Sequence, residues 1–218
     1  MERNGVPLIT VLGNIGSGKT TITKALFESN LIDKRKVLVG EPVDEWKKIG
    51  LLQNFYQDMK RWACVFQMFA FSSRIRRYKD IDWKNYDLCI SDAHMISDRH
   101  VFAENLHNSG FIDNEEKMYY DIYFEHWKKI APETIPTLWV YLRTLPSTSK
   151  ERIERRITIE GRPEESGITL EYLQGLHENF EKLVQLDEVK DNLLIIDAEQ
   201  SKEEIVRQIM ERILLLVQ

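Results

Sequence analysis

Leu8-Ile9-Thr10-Val11-Leu12-Gly13-Asn14-Ile15-Gly16-Ser17-Gly18-Lys19-Thr20 is the stretch on which the architecture turns. An apolar, β-branched run of strand length gives way to a glycine-rich turn and then to a segment of helical period, Lys19–Ser29. The turn fits G-x-x-x-x-G-K-[ST] in the context that pattern needs, after a strand and opening a helix. Backbone N–H groups of Gly13, Asn14, Ile15, Gly16, Ser17 and Gly18 can wrap phosphates, and the helix N-terminus adds a favourable dipole. Lys19 then reaches the outer phosphates and Thr20 offers its hydroxyl to Mg²⁺. The expected ligand is ATP or another nucleoside triphosphate. The motif alone leaves open whether phosphate goes to water, to protein or to a small molecule.

Outward from this stretch, short apolar runs recur at Lys36–Gly40, Leu88–Ser91, Leu138–Leu142 and Asn192–Ile196. With Leu8–Leu12 they make five candidate strands. Helical periods fill Lys19–Ser29, Leu52–Tyr78, Asp98–Asn108, Glu115–Ile130, Pro146–Arg156, Thr169–Leu186 and Ser201–Val217. Strand and helix in alternation predict an α/β fold, a five-stranded parallel sheet flanked by helices. Thr158–Gly167, with two glycines and a proline, follows the arginine-dense Glu151–Arg156 and reads as a mobile, arginine-rich lid over about residues 152–167.

The chain of 218 residues is 43% hydrophobic and 30% charged, which describes a globular protein of one domain, residues 1–218. A net charge of −5 gives no global attraction to a polyanion, so nucleic acid is not an expected partner. No run approaches the roughly 18 apolar residues of a membrane span, and the start, with an acid at Glu2, is unlike a targeting peptide. Cys64 and Cys89, the only cysteines, sit in apolar runs and read as buried thiols. Reduced thiols without a signal segment predict a cytoplasmic protein.

After the second strand the chain reads Gly40-Glu41-Pro42-Val43-Asp44-Glu45-Trp46. A carboxylate at the carboxyl edge of the sheet lies where open α/β folds place ligands, and it is suited to accept the proton of an attacking hydroxyl. Glu41 is either that base or a loop cap, and Trp46 either a pocket wall or core.

The sequence resembles the deoxynucleoside kinase family through five ordered motifs: GNIGSGKTT, EPVDEW, RWACVFQMFAFSSR, SDRHVFAENL and GRPEESGITLEYLQGLHE. The resemblance spans almost the whole chain. It implies ATP-dependent phosphorylation of the 5′-hydroxyl of deoxyribonucleosides, nucleotide salvage, and a homodimer. Glu41 becomes the expected general base; Trp46, Leu52, Tyr56, Phe66 and Phe102 the walls of the nucleoside pocket; Tyr56 and Glu165 the holders of the sugar 3′-hydroxyl. Gln67 is expected to read the base edge, as an amide both donates and accepts. Arg74 and Asp98 occupy positions where family members favouring deoxycytidine and purines carry a charged pair, which predicts deoxycytidine first and purine deoxynucleosides next. A structural ion pair in the core is the other reading of these two.

Arg152, Arg156 and Arg162 on or beside the lid are expected to neutralise transferring phosphate, with helical spacing placing Arg152, Arg155 and Arg156 on a shared side. Between Arg152 and Arg162 the chain is a few residues longer than the family pattern. Asp197, Ala198 and Glu199 follow the last strand where the resemblance places the donor base. One departure stands out: where the family has Glu-Arg-Ser or Asp-Arg-His, the chain reads Asp92-Ala93-His94. Asp92 fits a magnesium-side acid, but the arginine is missing. Asp98-Arg99-His100 spells the motif six residues later, in a register that its helical sequel rejects. Two alternatives follow: a catalytically impaired nucleotide-binding variant, and a nucleoside monophosphate kinase of thymidylate type. Against the latter, Gly40 stands before Glu41-Pro42 where such kinases carry arginine.

Overall fold

The computed structural model describes Arg3 and residues 5–217, with the side chains of Glu160 and Glu164 left aside. Glu2, the acid that makes the start unlike a targeting peptide, lies outside the described residues. Five strands, β1 (Leu8–Gly13), β2 (Lys36–Val39), β3 (Leu88–Asp92), β4 (Leu138–Arg143) and β5 (Leu193–Asp197), form one parallel sheet in the order β2-β3-β1-β4-β5. The helices in chain order are α1 (Lys19–Glu28), α2 (Val43–Lys48), α3 (Leu51–Gln57), α4 (Met59–Lys79), α5 (Met95–Ser97), α6 (Glu104–Asn108), α7 (Asn114–Ile130), α8 (Pro146–Glu160), α9 (Leu170–Leu183), α10 (Asp187–Lys190) and α11 (Lys202–Leu216). A π-helical stretch, Asp98–Ala103, joins α5 to α6.

Both faces of the sheet are covered, which is why β1, β3 and β4 read as continuous apolar runs instead of alternating ones. Ile9 and Val11 turn to one face with Ile22 and Leu26 of α1 and Ile205, Ile209 and Ile213 of α11. Leu8 turns to the other face and the aromatic layer of α4 and α7, and Leu12 meets Phe180 of α9. After β1 the chain crosses to one side of the sheet and after β3 to the other. The carboxyl ends of these neighbouring strands therefore open a crevice between Gly13 and Asp92.

Three expectations need correction. The single helix Leu52–Tyr78 is two helices, because Asp58 leaves helical geometry (φ −146°) and caps α4 by accepting from the Arg61 N–H at 3.1 Å. The lid is less loop than expected: α8 continues to Glu160, ends on Gly161 in the left-handed region (φ 65°), and is followed by a 3-10 turn, Pro163–Gly167. Cys89 is buried but Cys64 only partly so; both are free thiols, and burial pushes them up to about 12 and about 11. α2 is an element the sequence reading passed over, although acids in its first turn and lysines in its last are the charge order a helix dipole favours.

Candidate active site

A cleft of about 480 Å³ runs along the carboxyl edge of the sheet. Its phosphate end is local sequence folded on itself. Gly16 (φ 81°) is required there, since a Cβ would stand 2.6 Å from the backbone oxygen of Ser149 on α8. Gly18 caps α1 in the left-handed region at φ 94°. Lys19 donates to the carbonyls of Gly13 (2.9 Å) and Asn14 (3.0 Å), curling the loop around its own ammonium. Burial lowers the Lys19 pKa, opposed by the nearby Asp92 and Glu41 carboxylates.

Gly13, Ile15, Gly16, Gly18, Lys19 and Thr20 line the cleft. Asn14 and Ser17 are buried beneath the loop, Asn14 donating to the Leu173 carbonyl at 2.9 Å. Thr20 Oγ1 donates to Asp92 Oδ2 at 2.5 Å, while Asp92 Oδ1 is buried with no hydrogen-bond partner among the described residues. A hydroxyl and an unsatisfied carboxylate oxygen side by side are hard oxygen donors, so the residues present fit a magnesium ion. Burial raises the Asp92 pKa, with Glu41 adding to it and Lys19 opposing.

The other end is assembled from distant segments. Trp46, Leu52, Tyr56, Phe66, Gln67, Arg74, Asp98 and Phe102 all line the cleft, as do Glu41 and Glu165. Trp46 is 4% exposed, so it is core and pocket wall at once; it meets Phe66 edge-on at 5.3 Å and donates from Nε1 to Ser73 Oγ at 3.0 Å. Gln67 and Arg74, two turns apart on α4, are both buried on the cleft side, and the Gln67 Oε1 has no hydrogen-bond partner among the described residues. Asp98 and Phe102 both come off the π-helical stretch, a deformation that recurs at functional sites.

Arg74 joins two carboxylates. Its Nη2 pairs with Glu41 Oε1 and its Nε donates to Asp98 Oδ2 at 2.9 Å. Burial alone would raise Glu41, but the charges of Arg74 and Lys19 and the Arg74 hydrogen bond hold it below the usual carboxylate range. Burial pushes Asp98 up to about 6 despite Arg74. At neutral pH Glu41 is thus an ionised acceptor at the junction of the two ends.

The lid residues divide. Arg156 and Arg162 line the cleft, and both approach Glu165, at 3.1 and 3.6 Å. Arg152 turns instead to the carbonyls of Ser17 (3.4 Å) and Ala198 (2.9 Å), tying lid helix to phosphate loop. Arg155 is exposed, so the shared side expected for all three arginines holds only for Arg152 and Arg156. The Asp197–Glu199 loop lies beside the phosphate loop without lining the cleft. Glu199 there accepts from the Leu145 N–H (3.2 Å) and the Thr148 hydroxyl (3.0 Å), and Asp197 Oδ1 from the Glu199 N–H (3.0 Å).

Ala93 lines the cleft with a left-handed backbone, φ 67°. Arg99, from the rejected register, points elsewhere, to Asp121 of α7 at 3.0 Å. His94 is buried and neutral, bonded to the Thr134 carbonyl at 2.8 Å, and burial lowers it to about 4. Among the cleft residues that the sequence did not assign to the site are Phe55 and Tyr172. Phe55 stacks on Phe66 at 4.6 Å, and Tyr172 sits within the quoted lid motif. Phe55 adjoins Tyr56 in the same apolar run, which was the available signal.

The sequence model of the deoxynucleoside kinase family matches residues 9–218. The chain is similar to the probable deoxycytidine kinase of fowlpox virus, 33% identical over 80% of this chain and 70% of that protein. It is also similar to deoxycytidine kinase 2 of Gallus gallus, 33% identical over 82% and 76%, and to the mitochondrial thymidine kinase 2 of Homo sapiens, 31% identical over 98% and 80%. Among solved structures, deoxyadenosine kinase of M. mycoides, with the products dCMP and dCDP bound, superposes at a TM-score of 0.78 over 94% of this chain and 98% of that one, at 23% identity. That likeness shows the fold. With the phosphate loop, the cleft at the carboxyl edge of the sheet and the match over nearly the full length taken together, the chain belongs to the deoxynucleoside kinase family of phosphotransferases.

Proposed function

We propose that this kinase takes deoxycytidine best and purine deoxynucleosides next, with Mg²⁺-ATP as donor. The observation that carries the reading is the composition of the far end of the cleft. There the amide of Gln67 offers an unsatisfied Oε1, and the Arg74–Asp98 pair stands beside it among aromatic walls. A buried acceptor with no partner favours a base presenting an exocyclic amino group, which cytosine and the purines carry and thymine lacks, and a charged pair disfavours a thymine methyl.

Glu41 accepts the proton of the 5′-hydroxyl, Tyr56 and Glu165 hold the 3′-hydroxyl, and Trp46, Leu52, Phe66 and Phe102 sandwich the base. The phosphate loop from Gly13 to Thr20 holds the donor phosphates, with Arg156 and Arg162 supplying charge from the lid and Arg152 tying the lid to that loop. The loop Asp197–Ala198–Glu199 flanks the donor base. Thr20 and Asp92 hold the magnesium, which supplies charge neutralisation on the donor phosphates when bound. Residues 1–218 act as one domain. The two free thiols support a cytoplasmic setting. Exposed Val65 of α4 and Met118, Tyr119 and Ile122 of α7 support pairing of two copies through these neighbouring helices.

Ala93 favours a second reading, a kinase that binds nucleotides but turns over poorly. Loss of one positioned cation costs roughly three orders of magnitude in rate. Both readings are tested by ADP release with Mg²⁺-ATP on deoxycytidine, deoxyadenosine, deoxyguanosine and thymidine, for this chain and Ala93→Arg in parallel. Turnover led by deoxycytidine in the unmodified chain is expected. Turnover only in Ala93→Arg establishes the second reading. Silence in both, or preference for deoxynucleoside monophosphates, overturns the proposal.

A further inference from the structure

A left-handed alanine and a two-armed arginine face the same cleft. Position 93 brings no charge to the reacting end. Arg74, arriving from α4, places its guanidinium between Glu41 and Asp98 and is 7% exposed there. The guanidinium lies over the Trp46 ring at 5.2 Å, and Trp46 is itself anchored through Ser73, whose hydroxyl donates to the Ala70 carbonyl at 2.9 Å. The arginine is thus held on three sides.

We propose that Arg74 is the positioning residue for Glu41, doing from the base end of the cleft what a cation at position 93 would do from the phosphate end. The inference rests on the reading of Glu41 as the base. Arg74 takes Oε1, which fixes the carboxylate plane and leaves Oε2 to accept from the hydroxyl. Lys19, the other cation whose charge acts on Glu41, is bonded to its own loop, and Arg156 and Arg162 approach Glu165; Lys24, Lys47 and Asp44 also line the cleft, and Asp92 and Asp98 are acids. Because Asp98 holds the same guanidinium, contact with the base and aim of Glu41 are linked through one side chain.

The test compares Arg74→Lys, Arg74→Gln/Asp98→Asn, and each with Ala93→Arg added. Removing both charges avoids leaving Asp98 buried and unpaired, so the double variant retains its fold. Lysine keeps the charge but not the fork. Arg74→Lys is expected to lose about tenfold or more in kcat, and the double variant about a hundredfold. Ala93→Arg is expected to restore at least about a tenth of the loss in kcat without restoring the base ranking.

Independently of turnover, carbon-13 titration of the Glu41 carboxyl, assigned with Glu41→Gln, is expected to move upward by about one pH unit or more in the double variant and not in Asp98→Asn alone. An unmoved midpoint, an Arg74→Lys variant within about threefold of the parent in kcat, or no rescue by Ala93→Arg each overturns the proposal. Glu41→Gln with full turnover instead removes the base reading, and the proposal with it, by a result the titration does not produce.

Discussion

At the phosphate end of the cleft, eight consecutive residues from Gly13 to Thr20 make the loop, and a single strand end, Asp92, completes it. At the far end, which we propose takes the nucleoside, Trp46, Phe66, Gln67, Arg74, Asp98 and Phe102 come from α2, α4 and the π-helical stretch, with the lid supplying Glu165. The first end is a backbone device: its geometry is set by glycine conformations and a helix start, and Lys19 and Thr20 already bond within it, while Ser17 Oγ and Asp92 Oδ1 have no partner among the described residues. The second is a side-chain device whose charges and rings meet only after the sheet and three helical segments are in place. A backbone device tolerates little change in sequence but needs little support. A side-chain device is tuned by single substitutions.

That contrast is open to direct attack. Lys19→Met strikes the phosphate end and is expected to cut turnover about 10⁴-fold while the fold, read by circular dichroism, stays intact. A smaller loss, of about tenfold, would mean the lid arginines carry the phosphate charge. Glu41→Gln, at the junction of the two ends, is expected to lower kcat about 10³-fold with little change in KM, measured by steady-state ADP release on deoxycytidine.

On the nucleoside side, Gln67→Leu should raise KM for deoxycytidine about 10²-fold and leave ATP binding, followed by calorimetry, unchanged. Weakened ATP binding in that variant would show that the two ends are not separable. The smallest effect concerns the backing of the cleft. His94 and His100 are lowered to about 4 by burial, against about 6.5 in the unfolded chain. The unfolded state therefore binds more protons between these values, so their contribution is fully present above about pH 6.5 and is lost as pH falls toward about 4. Asp98, raised to about 6, works in the opposite sense over part of this window. Urea unfolding from pH 7 to pH 4 should show a pH slope in the parent that is shallower in His94→Gln by up to about 1.4 kcal/mol per pH unit. An unchanged slope would mean His94 is protonated in the folded protein.

The strand–glycine-turn–helix of residues 8–29 was legible because every part of it is local. Apolar run, turn and helix start follow one another in the chain, and the phosphate loop needs no distant partner. The same holds for the five strands, whose burial on both faces writes itself as continuous apolar runs. Glu41 was legible as an acid after a strand, and Trp46 and Gln67 as site residues through the resemblance of their motifs. What local pattern missed were the break at Asp58, which depends on one side chain capping one N–H, and Phe55, drawn to the cleft by stacking on Phe66.

Charge placement was the part only tertiary structure decided. From sequence, Arg152, Arg155 and Arg156 share one helix side and Arg152 and Arg156 share one expected role, yet Arg152 ties the lid to the phosphate loop, Arg155 faces solvent and Arg156 faces the cleft. Arg74 and Asp98 were read as a base-recognising pair, and nothing in their spacing indicated that the same guanidinium reaches Glu41. Periodicity fixes which face of its own helix a long side chain leaves from. Where its charged end comes to rest depends on which carboxylates other elements deliver within a few ångströms, and that is a property of the assembled fold.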